Sequence, residues 1–246
     1  MPDLTDKVAL VTGGSRGIGA AIALRLAADG ADVAITYLTA DDRAAAVVAA
    51  IERTGRRGLA LRADSADPAA VARAVDEAAG RFGRLDVLVN NAGVFPFGPF
   101  EDVDADELRR VLDIHVGAAF TAAQAASRHM GPGGRIISIG SNLAERAGQP
   151  GIALYAMSKA ALGGLSRGLA HDLGPRGITV NVVHPGSTDT DMNPADGPAA
   201  DAQRARTALG AFQTADDVAA TVAHLAGPGA RTITGAALLV DSGANA

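Results

Sequence analysis

Short apolar segments of strand length alternate with segments of helical periodicity along almost the whole chain. Residues 7–12 form an apolar run that ends in glycine, and residues 20–29 follow with helical spacing and a closing Gly30. Further strands are predicted at 32–37, 59–62, 85–90, 135–139, 178–183 and 236–240. Strands that alternate with helices form βαβ units, whose strands pair in parallel. The sequence therefore predicts an α/β fold, a parallel sheet of about seven strands with helices on both faces.

The helical segments complete this pattern and leave one irregular stretch. Helices are predicted at 42–54, 68–82, 104–129, 154–173 and 214–226. Residues 187–210 contain Pro194, Gly197 and Pro198 and show little apolar periodicity, which predicts a mobile flap over the site. The chain has no internal repeat, linker or low-complexity segment, so we expect one domain over residues 1–246.

Composition excludes several functional classes. The 246 residues carry a net charge of -5 and 48% hydrophobic residues, which suits a globular domain with a large core. The absence of a basic run makes nucleic acid an unexpected partner. Cysteine is absent and the histidines lack ligand spacing, so no metal site is expected. No signal peptide and no apolar stretch near the roughly 18 residues of a membrane span are present, which predicts a cytoplasmic location without membrane contact.

A glycine-rich turn joins the first predicted strand to the first predicted helix. Residues 12–19 read T-G-G-S-R-G-I-G, with glycines at 13, 17 and 19 that differ in spacing from G-x-G-x-x-G. Glycines let the backbone approach a pyrophosphate, and the following helix N-terminus supplies free N–H groups. A glycine turn between a strand and a helix also occurs for structural reasons alone. Ligands of such sheets bind beyond the carboxyl ends of the strands, where Gly13, Tyr37, Asp64 and Asn91 all fall.

Tyr155 and Lys159 stand four residues apart in the predicted helix 154–173. This spacing places both side chains on one face, one turn apart. A free phenol titrates near pH 10, and a nearby ammonium lowers that pKa. The pair therefore suits proton transfer to or from an oxygen. A surface tyrosine beside a solvated lysine is the alternative interpretation of the pair alone.

In this order, these landmarks resemble those of the short-chain dehydrogenase/reductase family. The resemblance covers nearly the whole chain, from the glycine turn through Asp64, Asn90-Asn91-Ala92-Gly93, Ser141, Tyr155, Lys159, Asn181, Pro185-Gly186 and Thr190. It implies a Rossmann-type doubly wound sheet, a nicotinamide cofactor and hydride transfer between that cofactor and a carbonyl or alcohol. The most similar branches are those of 3-oxoacyl-carrier-protein reductases and of cyclic-di-GMP-binding members.

The resemblance implies a role for each catalytic candidate. Tyr155 would be the acid or base, and Lys159 would lower its pKa and bind the nicotinamide ribose. Ser141 would hold the substrate oxygen, with Ser138 as a competing candidate. His115 stands where the family usually has an asparagine that holds a water linking the lysine to solvent. An imidazole could hold that water or relay a proton itself; otherwise His115 is a structural helix residue with weakened or absent catalysis.

The residues after the second predicted strand indicate which dinucleotide binds. NAD usually needs an acid at the end of this strand, but the sequence there reads Tyr37-Leu38-Thr39. Arg16 in the glycine turn could reach a 2′-phosphate, and Ser15 and Thr39 offer hydroxyls. We therefore predict NADP(H), while NAD(H) remains possible if Arg16 is a solvated turn residue.

The resemblance places Asp64 at the adenine, Asn91 on the adenosine ribose side, and Thr188 and Thr190 at the nicotinamide amide. The complete predicted cofactor-binding set is Gly13, Ser15, Arg16, Gly17, Ile18, Gly19, Tyr37, Thr39, Asp64, Ser65, Asn91, Ala92, Gly93, Tyr155, Lys159, Pro185, Gly186, Thr188 and Thr190.

Two functions from different classes follow. The first is an NADPH-dependent reductase of a ketone, or the reverse reaction, acting on a 3-oxoacyl thioester, a quinone-like ketone or a small xenobiotic ketone. A modest apolar substrate pocket is predicted from residues that could also belong to the core: Val94, Phe95, Phe97, Leu143, Ile152 and Met192. The second is a regulatory protein that keeps the fold and binds cyclic-di-GMP, because the runs 64–67 and 189–198 resemble that branch.

A homo-oligomer is the expected assembly. The resemblance implies a dimer or tetramer formed through the helices around 104–129 and 154–174. Gly163, Gly164 and Gly168 on the second of these would permit close helix contact.

Overall fold

The computed structural model describes residues 3–246 and contains one parallel sheet with the strand order β3-β2-β1-β4-β5-β6-β7. The strands are β1 (Val8–Val11), β2 (Asp32–Tyr37), β3 (Gly58–Arg62), β4 (Val87–Asn90), β5 (Arg135–Ile139), β6 (Thr179–Pro185) and β7 (Ala237–Val240). The chain winds outward from β1 to one edge, then crosses back and winds to the other edge. This doubly wound α/β sheet confirms the fold class predicted from the sequence.

The helices cover both faces of the sheet. They are α1 (Gly17–Ala28), α2 (Asp41–Glu52), α3 (Pro68–Phe82), α4 (Ala105–Leu112), α5 (Ala118–His129), α6 (Ala153–Leu173), α7 (Ala200–Arg204) and α8 (Ala215–Ala226). Within residues 3–246, none of the helices combines the length and apolarity that a membrane crossing requires.

Two predicted segments differ from the structure. The single helix predicted over 104–129 is divided by a π-helical turn at Asp113–Gly117, because i→i+5 hydrogen bonds replace the α-helical ones there. The predicted flap 187–210 contains the short helix α7 and an isolated bridge between Thr190 and Asn193. Its mobility stays a prediction.

The core has one layer on each side of the sheet. Side chains of successive strand residues point to opposite faces, so Val11 packs in the layer of α1, α2 and α8, whereas Leu10 packs in the layer of α3 and α5. Because both faces are covered, the inner strands are apolar at nearly every position, as in β1 and β4.

The crossover brings the loops after β1 and β4 together at the carboxyl edge of the sheet. Strand β1 pairs with both β2 and β4, so the winding direction reverses between β1 and β4. Gly13 adopts φ +64, and a Cβ at this position would lie 2.9 Å from the Ala92 Cα. Only glycine allows the two loops to approach this closely. Ligands of open α/β sheets bind at such a reversal point.

Candidate active site

One cleft of about 1330 Å³ runs along the carboxyl ends of the strands. Its walls come from the glycine turn, the ends of β2 to β6, the start of α6, the flap and the C-terminal residues Ala244 and Asn245. All nineteen residues predicted to bind the cofactor line this cleft. The structure thus brings together the residues that the sequence distributes over positions 13 to 190.

The glycine turn leaves the N-terminus of α1 without a side-chain cap. Arg16 precedes the helix in an extended conformation and makes no capping hydrogen bond. Gly17 has φ +53, and a Cβ there would meet only the Thr190 side chain, at 3.4 Å. The first N–H groups of a helix have no intrahelical partners and carry the positive end of the helix dipole. The backbone here therefore suits an anionic group such as a pyrophosphate.

Thr12 and Asn91 fix the shape of this turn. The Thr12 hydroxyl oxygen accepts hydrogen bonds from the backbone N–H groups of Asn91 and Ala92, at 2.9 and 3.1 Å. The Asn91 side-chain amide donates to the backbone oxygens of Thr12 and Gly13, at 2.9 and 3.1 Å. Asn91 therefore lines the cleft while its amide protons hold the turn in place. The sequence prediction did not include Thr12; its position directly before the first glycine was the available signal.

Two arginines meet a flap carboxylate at the β2 end of the cleft. Asp191 forms an ion pair with Arg43, and Arg16 Nη1 lies 3.9 Å from the same carboxylate oxygen. The hydrogen bond from Arg43, followed by its charge, lowers the pKa of Asp191. All three side chains are more than half exposed. Arg43 was missed in the sequence prediction, because only the fold brings the first turn of α2 beside the flap.

Tyr155 and Lys159 occupy the other end of the cleft, on α6. Lys159 is 5% exposed, and its Nζ donates a hydrogen bond to the Ile139 backbone oxygen at 2.9 Å. Burial lowers the pKa of Lys159 to about 8. The ammonium lies 5.9 Å from the centre of the Tyr155 ring, so the predicted pair is present in the structure.

The environment of Tyr155 corrects one expectation. The sequence predicted that Lys159 would lower the tyrosine pKa, but burial raises the pKa of Tyr155, opposed by a hydrogen bond with Ser141. The Phe95 ring packs edge-on against the phenol ring, with 4.8 Å between the ring centres. Loss of hydration disfavours the phenolate, and this effect outweighs the favourable interactions. Tyr155 is therefore held as a neutral phenol, which can donate a proton.

The geometry separates the two candidate serines. Ser141 lines the cleft, and its Oγ accepts a hydrogen bond from the Leu143 N–H at 3.2 Å. Ser138 is buried away from the cleft, and its Oγ accepts a hydrogen bond from the Asn90 Nδ2 at 3.3 Å. Of the two, Ser141 is the serine that lines the cleft together with Tyr155.

His184 positions Ser141, a role that was missed in the sequence prediction. The buried His184 Nδ1 accepts a hydrogen bond from the Ser141 backbone N–H at 3.0 Å. Gly140 allows this approach, because a Cβ there would lie 2.3 Å from the same nitrogen. Burial lowers the pKa of His184, so the ring stays neutral and can accept this bond. The available signal was the place of His184 at the end of a predicted strand.

His115 lies in the π-helical turn and makes hydrogen bonds through both ring nitrogens. Its Nε2 accepts from the Val94 N–H at 2.9 Å, and its Nδ1 lies 2.7 Å from the Ser158 Oγ. Ser158 in turn donates to the Tyr155 backbone oxygen at 2.8 Å. This pattern assigns the ring proton to Nδ1. Burial, and then the charge of Lys159, lower the pKa of His115 to about 3.

These contacts correct the expected part of His115 in a proton path. The side chain is 2% exposed and does not line the cleft. Neither ring nitrogen is free to bind a water or to relay a proton, since each already has a partner. His115 instead joins the loop after β4 to the first turns of α6, which carry Tyr155.

The predicted substrate pocket is present with one exception. Val94, Phe95, Phe97, Leu143 and Met192 line the cleft. Ile152 does not, because it is 1% exposed and packs directly before α6 as a core residue.

The flap threonines contact the protein in different ways. Thr188 is buried, and its hydroxyl donates to the Gly186 oxygen and accepts from Gln213, at 3.0 and 2.8 Å. Thr190 places its methyl group against Gly17 of the glycine turn. The start of the flap therefore closes one side of the cleft.

The sequence matches a known family model over most of its length. A model described as Enoyl-(Acyl carrier protein) reductase matches residues 13–245. Among characterised relatives, the cyclic-di-GMP-binding biofilm dispersal mediator protein of Escherichia coli (strain K12) is 45% identical over 241 residues, which covers 98% of each chain.

Solved structures agree closely with the fold. A short-chain dehydrogenase from Burkholderia cenocepacia J2315 in complex with NADP is 62% identical, with a TM-score of 0.98 over 99% of each chain. A blue fluorescent protein from a metagenomic library, in complex with NADPH, is 56% identical with a TM-score of 0.97, covering 99% of this chain and 100% of that one. Each of these similarities covers at least 98% of this chain.

Proposed function

This chain belongs to the short-chain dehydrogenase/reductase family, and on that premise we propose that it reduces a ketone to an alcohol with NADPH, or runs the reverse reaction. The family membership makes it an NAD(P)-dependent oxidoreductase. The observation that carries the finer proposal is that Ser141, Tyr155 and Lys159 line the same cleft as the glycine turn, with the Lys159 ammonium 5.9 Å from the centre of the Tyr155 ring.

The cleft fits NADP(H) at its adenosine end. Arg16 and Arg43 offer two guanidinium groups for a 2′-phosphate, and Thr39 lines the cleft beside them. Tyr37 and Leu38 at the end of β2 line the cleft where an acid would hold the free 2′-hydroxyl of NAD. Two similar proteins were crystallised with NADP or NADPH, which supports the same cofactor here.

The chain's own residues would bind the carbonyl oxygen and move the proton. NADPH, when bound, supplies the hydride that the carbonyl carbon receives. The Ser141 hydroxyl orients the substrate oxygen, and the neutral Tyr155 phenol donates its proton to that oxygen as the alcohol forms. With a pKa of about 8, Lys159 is mainly an ammonium near neutral pH, and its charge stabilises the phenolate that Tyr155 becomes when it gives up its proton.

The test is NADPH oxidation by a panel of ketones, followed by its absorbance and by identification of the alcohol. We expect one alcohol per NADPH consumed, and slower turnover with NADH. If every ketone leaves NADPH unchanged while NADPH binds normally, the reductase proposal is wrong.

A second candidate is a regulatory protein that binds cyclic-di-GMP with little or no catalysis. Its support is the 45% identity to the Escherichia coli protein of that name. Calorimetric titration with cyclic-di-GMP distinguishes the two functions when it is run beside the ketone panel. Tight binding without turnover would favour this candidate.

The homo-oligomer is also part of the proposal. A Cβ at Gly164 or Gly168 of α6 would meet open space, so this helix surface is free for a close contact with a second copy. Light scattering at micromolar concentration should give a dimer or tetramer, and a monomer would contradict the proposal. The single domain over 1–246 and the cytoplasmic location stay predictions.

A further inference from the structure

The walls of the cleft have a charge opposite to that of the chain. The protein has a net charge of -5, yet among residues 3–246 only two carboxylates line the cleft, those of Asp64 and Asp191. Six cationic side chains line it: Arg16, Arg43, Arg110, Arg146, Lys159 and Arg206. A cleft lined by one sign of charge focuses its field on ligands of the other sign.

Three of these six cationic residues belong neither to the adenosine end nor to the pair of Tyr155 and Lys159. Arg110 comes from α4, Arg146 from the loop after β5 and Arg206 from the flap. None of them forms an ion pair with a carboxylate of residues 3–246, whereas Arg16 and Arg43 share Asp191. Their charges are therefore not neutralised within the described chain.

Two of the three are held beside the loop that carries Ser141. The Arg206 guanidinium donates to the Gln149 side-chain oxygen at 3.1 Å, and Gln149 lies between Ser141 and Tyr155 in the chain. Arg146, in the same loop, donates to the Ala244 backbone oxygen at 3.5 Å. These acceptors are neutral, so each guanidinium keeps its full charge for a ligand.

Apolar side chains line the same cleft as these arginines. Phe95 packs on the Tyr155 ring, and Leu143 and Met192 are also among the lining residues. The cleft therefore combines a proton donor, apolar walls and cationic side chains. This combination suits a ligand with a carbonyl, an apolar body and a negative charge.

We propose that the substrate is a ketone that carries a carboxylate or phosphate, and that Arg110, Arg146 and Arg206 bind this anion. The inference rests on the proposed reductase function and specifies its substrate class. Guanidinium groups form charge-assisted, often bidentate hydrogen bonds with both anions. The apolar pocket predicted from the sequence is then the part of the site between the anion and the reacting carbonyl.

The first experiment compares ketones that differ only in charge. The probes are 4-oxopentanoate, 5-oxohexanoate and 7-oxooctanoate, each beside its methyl ester, and dihydroxyacetone phosphate beside dihydroxyacetone. Each exposed charge pair contributes about two- to fivefold, so three together should favour the anion by roughly tenfold or more in kcat/KM at low salt. Screening should reduce this ratio toward one at high salt. The oxo acid and phosphate arms distinguish the two anions.

The second experiment uses charge-neutral variants. Arg110→Gln, Arg146→Gln and Arg206→Gln should each reduce the preference for the anion, and the triple variant should remove it while turnover of the methyl ester continues. Arg231→Gln is the matched control, because Arg231 is exposed and does not line the cleft. An acid-to-ester ratio of one in the wild type, or an equal loss in the control, would overturn the inference.

Binding to the NADPH complex separates this inference from the reductase proposal. The fluorescence of bound NADPH can report binding of each probe whether or not it is reduced. Tight, salt-sensitive binding of the acid without reduction of any ketone tested would support the anion site and contradict the reductase. Reduction of acid and ester with equal kcat/KM would support the reductase and contradict the anion site. If no ketone of either series is reduced and the acid binds no more tightly than its ester, both are wrong.

Discussion

The two ends of the cleft differ in the interactions that position their side chains: buried hydrogen bonds at the catalytic end and exposed charges at the adenosine end. At the catalytic end, Lys159, Ser158 and His115 are buried, and each makes a short hydrogen bond in which the acceptor is uncharged. At the adenosine end, Arg16, Arg43 and Asp191 are more than half exposed and interact through charge. Burial sets the protonation state at the first end, whereas water and salt screen the interactions at the second. Substitutions should therefore change chemistry and stability at one end and affinity at the other.

The largest expected effect is at the catalytic end, from Tyr155→Phe. This change removes only the hydroxyl, so folding and NADPH affinity should remain near the wild-type values. Loss of the proton donor should lower turnover by roughly 10² or more, the scale of general acid catalysis. Steady-state kinetics and an NADPH binding curve on the same preparation check both parts. Wild-type turnover in this variant would remove Tyr155 from the mechanism.

The next effect is at the adenosine end, from Arg16→Ala and Arg43→Ala. Each substitution should weaken the binding of NADPH more than the binding of NADH, because only NADPH has the 2′-phosphate. A charge-assisted hydrogen bond contributes on the order of 1.5–3 kcal/mol, and exposure places these two toward the lower value. Fluorescence titration with both cofactors measures the difference. An equal loss for both would show that the arginines only shape the loops.

A pH effect on stability should come from His115. Its pKa is about 3 in the folded protein, against about 6.5 when unfolded. The contribution of neutral His115 to the free energy of unfolding is complete above pH 6.5. It is lost as the pH falls toward 3, because the unfolded chain then binds a proton that the folded chain does not. One proton corresponds to about 1.4 kcal/mol per pH unit. The measurement is denaturant unfolding of the wild type and of His115→Asn between pH 7 and 5. The free energy of unfolding of the wild type minus that of the variant should fall with this slope as the pH falls.

The same pKa places no His115 titration between pH 5 and 8, so His115→Asn should leave the shape of the pH–rate profile unchanged there. His115→Ala should cost about 1–3 kcal/mol of stability, because it leaves the partly buried Val94 N–H without its partner. An acidic limb near pH 6 that disappears in His115→Asn would restore the proton-path interpretation.

The smallest effect should come from Asp191→Asn. The carboxylate now neutralises Arg16 and Arg43 and would repel a 2′-phosphate, so its removal should strengthen NADPH binding severalfold at low salt. NADH affinity should not change. Asp196→Asn is the matched control, since this exposed flap acid has no ion pair within residues 3–246. Weaker NADPH binding in Asp191→Asn would instead show that the ion pair closes the flap over the cofactor.

The sequence predicted the features that depend on local pattern. The strand–helix alternation defined the sheet, and the bounds of β2, α3 and β5 agree with the prediction residue by residue. The Tyr155 and Lys159 pair follows from helical spacing alone. The π-helical turn at Asp113–Gly117 was not predicted, because one extra residue per turn hardly changes the apolar pattern.

Features that depend on distant contacts were missed. Arg43 and Asp191 are 148 residues apart, and nothing local connects them. The direction of the Tyr155 pKa was predicted wrongly because spacing shows the nearby lysine but not the extent of burial. The sequence likewise does not show that both ring nitrogens of His115 have hydrogen-bond partners, Val94 and Ser158, and therefore left a proton path through His115 open.

The most direct test measures both ends of the cleft in one single-turnover experiment. NADPH oxidation is followed after mixing with a saturating ketone, over a series of NADPH and salt concentrations. We predict that the NADPH dissociation constant rises with salt, while the rate constant for the chemical step at saturating NADPH stays constant. A rate constant that follows salt, with a dissociation constant that does not, would contradict the division between a buried catalytic end and an exposed, charge-based adenosine end.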